Sequence, residues 1–85
     1  MALIYTEKNN GEVSVRIGED RDVNQWRKLG EELGYRFFYG CHTYYKGKEQ
    51  VVIIFTNRVW SDEEIERRER QGFKGIKRYR IKKEV

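Results

Sequence analysis

The sequence predicts an α+β fold: an antiparallel sheet with two helices on one face. Three observations carry this reading. Val13, Val15 and Ile17 alternate with Glu12, Ser14 and Arg16, and a period of two marks a strand with one buried face. Val23, Trp26, Leu29, Gly30 and Leu33 fall on one helical face, with Asp22 ahead of them and Gly34 behind, a cap and a left-handed stop. Residues 51–55, Val-Val-Ile-Ile-Phe, form an unbroken apolar run. It is too short for a bilayer and the right length for a central strand buried on both faces.

The whole chain, residues 1–85, reads as a single small α+β domain, because chains divide into separate cores only at greater length. Cys41 is the only cysteine, so no disulfide framework stabilises it and the core itself must do so. Aromatic residues are 14% of the chain, enough to make that core dense with rings.

The elements follow in order. Residues 3–6 form a short β-prone segment, Asn9-Asn10-Gly11 a turn signal, and residues 13–17 the second strand of a hairpin. The first helix is expected over 23–33, with Asp22 and Gln25 at capping-box spacing and Trp26 docked on the sheet. Gly30 costs about 1 kcal/mol of helix propensity relative to alanine; its expected reason is close approach to the sheet. A strand is expected over 35–45, a turn at Lys46-Gly47-Lys48, and a further strand over 50–57. Ser61 and Glu64 have capping-box spacing, and Trp60 with Ile65 the spacing of a hydrophobic staple. The second helix therefore starts at residue 62 and stops at Gly72. Its Glu63/Arg67, Glu64/Arg68 and Glu66/Arg70 pairs are i,i+4 pairs in the favourable order. A last strand is expected over 73–81, within a basic C-terminal strand and tail over 73–85.

Without its first segment this order is βαββαβ, the ferredoxin-like or related two-layer pattern, with an extra N-terminal strand. In that pattern the first and last core strands are neighbours. The hairpin of 3–6 with 13–17 competes for the same edge, so either the N-terminal strand or the last one must pair elsewhere.

Catalysis is not expected. The chain has no nucleophile–base pair and no glycine-rich phosphate loop. Its single His42 adjoins Cys41, and neighbours on a strand point to opposite faces, so the two are badly placed to chelate one metal. No metal and no cofactor are therefore expected. The N-terminal residues carry no signal-peptide pattern; a cytoplasmic location is the default expectation, and no membrane association is expected.

Charge points to a partner. Lys+Arg number 18 against 14 Asp+Glu, a net +4. From 74 to 83 the chain carries Lys74, Lys77, Arg78, Arg80, Lys82 and Lys83 with no acid between them. On a regular strand Lys74, Ile76, Arg78, Arg80 and Lys82 share one face, opposite Phe73, Tyr79 and Ile81. That cationic row repeats at about 7 Å, comparable with the phosphate spacing of a nucleic-acid strand. Clustered positive charge argues for polyanion binding. The leading expectation is a non-enzymatic nucleic-acid-binding protein, single strands favoured. Lys74, Arg78, Arg80 and Lys82 would contact phosphates, Arg16 and Arg36 would extend the patch, and the rings of Phe38 and Tyr44 would stack on bases. The alternative is a small protein-binding regulator or inhibitor with no nucleic-acid role. A homodimer, through an edge strand or through the uncovered aromatic face, is compatible with both.

Overall fold

The computed structural model describes residues 1–81. Seven elements follow one another: β1 (Ala2–Glu7), β2 (Val13–Gly18), α1 (Val23–Leu33), β3 (Phe37–Tyr45), β4 (Lys48–Thr56), α2 (Asp62–Arg70) and β5 (Lys74–Arg80). The strands form one sheet in the order β2-β1-β4-β3-β5. β1 runs parallel to β4, and every other neighbouring pair is antiparallel. Among the described residues no helix is long and apolar enough to cross a membrane.

This order corrects the ferredoxin-like expectation. β5 does not lie beside the N-terminal strands. It pairs with the outer side of β3, Phe38 opposite Tyr79 and Gly40 opposite Lys77, while β1 occupies the slot between β2 and β4. The sheet is therefore mixed, not antiparallel.

The helices do not share a face either, and the strand order explains why. The connection from β2 through α1 to β3 and the one from β4 through α2 to β5 both step the same way across the sheet. They leave from strands that point in opposite directions. Right-handed crossovers then put the two helices on opposite faces.

The side chains agree. Phe38 and Tyr39, adjacent on β3, enter different cores. Phe38 packs with Ala2, Ile4, Trp26, Ile53, Phe55 and Ile81 on the α1 face. Tyr39 packs with Leu3, Cys41, Val52, Ile54 and Trp60 on the α2 face, where Ile65 of α2 joins them. Residues 52–55 thus alternate between two cores, as their unbroken apolar run requires of a central strand.

Both helices begin where the sequence places them. Asp22 accepts from the Gln25 N–H at 2.9 Å, and the Gln25 side chain accepts from the Asp22 N–H at 3.0 Å. Ser61 accepts from the Glu64 N–H at 3.2 Å. Glu64 does not return the bond, because arginines take its carboxylate. Gly30 explains the docking of α1: a Cβ there would lie 2.8 Å from Phe55 Cε1 and closer still to Ile81 Cδ1. Only the middle of α1 reaches the sheet, so Val23 and Leu33 at its ends stay exposed.

Candidate nucleic-acid interface

β5 is an edge strand, and a bulge shapes what it presents. His42 pairs with Lys74 and Gly40 with Lys77, so one extra β5 residue lies between these pairs. Gly75 takes it up at φ +66, a left-handed conformation that glycine adopts without strain. The extra residue resets the alternation. Phe73 and Ile76 pack toward the α2 face, and Tyr79 and Ile81 toward the α1 face. The expected single row is therefore split. Lys74, opposite His42, and Lys77, opposite Gly40, share the α1 face; Arg78, opposite Tyr39, and Arg80, opposite Phe37, share the α2 face.

All four side chains are exposed, and among the described residues none has a carboxylate within ion-pair distance. Arg78 and Lys77 rest on rings, with Arg78 Cζ 5.9 Å from the Phe37 centroid and Lys77 Nζ 5.4 Å from that of Tyr79. Such contacts orient a cation without neutralising it. Arg36 joins this patch: its carbonyl accepts from the Ile81 N–H at 2.9 Å, and its side chain is exposed beside the end of β5. Lys82 lies outside the described residues. Arg16 does not belong to the patch. It sits on β2, the opposite edge of the sheet, four strand spacings or about 19 Å away.

The two expected stacking rings part company. Tyr44 is 70% exposed near the turn of the β3–β4 hairpin, opposite Glu49. Phe38 is a correction: it is fully buried, stacked on Tyr79 at 4.8 Å between centroids and 13° between planes. α1 covers its face of the sheet, so its ring is closed to a base.

In its place the fold opens a groove that sequence reasoning missed. About 390 Å³ in volume, it lies on the α1 face beside the start of α1. Gly40, Phe38, Ile53 and Tyr79 line it, and Arg21, Lys77 and His42 stand at the same groove. It exists because Gly40 contributes no side chain there and α1 docks farther along the strands. A glycine inside a strand pattern was the available signal.

Two arginines of the α2 side, Arg58 and Arg68, are engaged. Arg58 reaches Glu7 through Nε at 2.7 Å and Glu64 through Nη2 at 3.0 Å. Arg68 reaches Glu64 at 3.0 Å and Glu7 at 3.6 Å, and lies 3.9 Å above the Trp60 ring. Trp60 in turn stacks on Tyr39 at 3.9 Å between centroids, whose hydroxyl accepts from the Trp60 backbone N–H at 2.9 Å. Burial pushes the Glu7 carboxyl up, but hydrogen bonds from Arg58 and Thr56 and the charges of Arg58 and Arg68 outweigh it and hold it below its ordinary value. Glu64 is lowered in the same way: burial raises it, and bonds from Arg58 and Arg68 prevail. Of the expected i,i+4 pairs on α2, Glu64–Arg68 forms among the described residues; Glu63/Arg67 and Glu66/Arg70 do not. This cluster is electrically balanced and structural, in contrast to β5.

Cys41 is buried in the α2 core, and burial pushes its thiol up to about 11, far from a reactive thiolate. His42 points to the other face, its Nδ1 3.6 Å from Glu49 Oε1. Among the described residues no group of three or more His, Cys, Asp or Glu is placed to hold a metal ion. The fold defines the chain as a five-stranded mixed sheet sandwiched between two helices, with one cationic edge. Comparison with protein-family models, with curated proteins and with solved structures finds no match.

Proposed function

We propose that this protein binds single-stranded nucleic acid along its β5 edge and does no chemistry on it. One observation carries the reading: Lys74, Lys77, Arg78 and Arg80 stand exposed on an edge strand and, among the described residues, without carboxylate partners, next to an open groove with apolar and aromatic walls. The cations take phosphates, lysine as a point charge and arginine as a planar fork. The groove takes an unstacked base against Tyr79, with Lys77 at its rim. Tyr44 offers a second ring beyond Lys74. Because Lys74 and Lys77 face one side and Arg78 and Arg80 the other, the bound strand crosses the edge obliquely instead of lying flat on a sheet face. A duplex, whose bases are already stacked, cannot fill the groove.

The test is titration of a labelled single-stranded oligonucleotide, and of the matching duplex, at several salt concentrations. Four phosphate contacts predict a slope of log K against log salt of about −3 for the single strand. The single strand is expected to bind more tightly than the duplex. Absence of binding to either at low salt overturns the reading.

A further inference from the structure

The opposite edge of the sheet carries a different message. Among the described residues no strand covers the outer side of β2, and Val13, Val15 and Ile17 are 56%, 54% and 58% exposed. They form a row, because their β1 partners are Glu7, Tyr5 and Leu3, all on the α2 face. Their backbone groups are turned outward as well. The Lys8 N–H donates to the Glu12 carbonyl at 2.8 Å across the hairpin, which makes 8 and 12 a hydrogen-bonded pair. Antiparallel alternation then makes the pairs of Val13, Val15 and Ile17 with β1 non-hydrogen-bonded ones. Their own N–H and C=O groups therefore face the empty edge.

Soluble proteins protect such an edge with charge, proline or a bulge. β5 has charges and a bulge. β2 has regular pairing throughout and Arg16 as its one charged residue. An edge left without these devices, and lined with apolar side chains, is built to be paired.

We propose that β2 pairs antiparallel with β2 of a second copy of this chain, about a two-fold axis at Val15. In this register Val13 meets Ile17 of the second copy and Val15 meets Val15, so every apolar residue of the row faces another. Each of these pairs can exchange two backbone hydrogen bonds, since the outward-facing groups of both strands coincide. On the other face Ser14 meets Arg16, and Glu12 meets Gly18, so no like charges are opposed. The neighbouring registers are worse. Shifted one way, Arg16 stands against Arg16; shifted the other, Ile17 faces Gly11 in the turn. The pairing joins two five-stranded sheets into one and leaves both β5 edges free at its outer ends. It is an isologous contact that closes on itself, so it gives dimers and not fibres.

The test uses the full chain in native mass spectrometry and sedimentation velocity. The parent is expected to have twice the mass of a single chain. Val15→Lys and Val15→Glu each place like charges on the axis, and each is expected to run as a folded monomer whose thermal midpoint, unlike the parent's, does not rise with protein concentration. Mixed, the two variants are expected to form a one-to-one heterodimer, because only residues that face each other across the axis restore attraction. A parent that stays monomeric up to its solubility limit overturns the proposal, as it would if β2 instead receives a strand from a different protein. A parent dimer that survives Val15→Lys, or variants that fail to combine on mixing, overturns it too, by placing the contact elsewhere.

Discussion

The two edges of this sheet are of similar length and opposite character. β5 bears four exposed cations with no carboxylate partner among the described residues, a glycine bulge, and side chains that anchor it in both cores: Ile76 on one face and Tyr79 on the other. β2 bears three exposed apolar side chains, and none of its residues is fully buried. One edge is firmly held by the molecule and repels another copy of itself. The other is held only by its hairpin partner β1 and has a surface that matches its own. The difference teaches that edge chemistry, more than helix or core composition, sets the two ends of one sheet apart.

The sharpest way to break the comparison is to remove what holds β5 down. Phe38→Ala takes away the ring stacked on Tyr79 and is expected to destabilise the fold by about 3–5 kcal/mol, the range for a large buried aromatic. Trp26→Ala, on the same core through α1, is expected to cost a similar amount. Denaturant unfolding measures both. A midpoint like the parent's for Phe38→Ala means that β5 is not anchored through this core.

A smaller effect concerns the balanced arginines, which serve as the control for the unbalanced ones. Glu7 and Glu64 are held below their ordinary values by Arg58 and Arg68. A carboxyl depressed in the folded state stabilises it fully above the unfolded pKa and loses that contribution as pH falls through the folded pKa. Thermal stability should therefore decline from about pH 4.3, the unfolded glutamate value, downward. Glu7→Gln removes a charged acceptor and is expected to cost about 1–3 kcal/mol at neutral pH and to flatten this acid dependence. An unchanged acid profile in Glu7→Gln would show that the cluster does not stabilise the fold.

Smaller again is Ser61→Ala, which removes the cap of α2 and is expected to cost about 0.5–2 kcal/mol. It should leave binding at β5 as it was, because α2 supplies none of the edge cations. Calorimetry and a parallel binding titration separate the two.

Local structure was largely legible in the sequence, and its assembly was not. The Asp22/Gln25 box, the Ser61 cap, the Trp60/Ile65 staple and the central position of β4 depend on neighbours within a few residues or on an unbroken apolar run. The same holds for the docking glycine at 30, whose reason was a missing side chain in an otherwise apolar face. The strand order was not legible because nothing local tells whether β5 lands beside β2 or outside β3, and the faces of both helices follow from that one choice. The cationic residues were legible as a cluster, but their facing was not. A single extra residue at Gly75 turns Lys74 to the side of Lys77 and away from Arg78. Phe38 was misread because an aromatic-rich strand with helices on one face leaves rings uncovered, and a sheet covered on both faces does not. Arg58–Glu7 joins positions 51 residues apart, beyond any reading of spacing.

One assay sets the two edges of the sheet directly against each other. Arg78→Gln with Arg80→Gln removes two of the cations proposed to contact phosphates, while Arg16→Gln removes the one basic charge of β2. Each protein is titrated with the same single-stranded oligonucleotide over a range of salt. The β5 double variant, still folded, is expected to bind more weakly and with a salt slope shallower by about 1.5, and Arg16→Gln is expected to keep the parent slope. A double variant with the parent's affinity and slope, or a loss in Arg16→Gln as large as in the double variant, would contradict binding along the β5 edge.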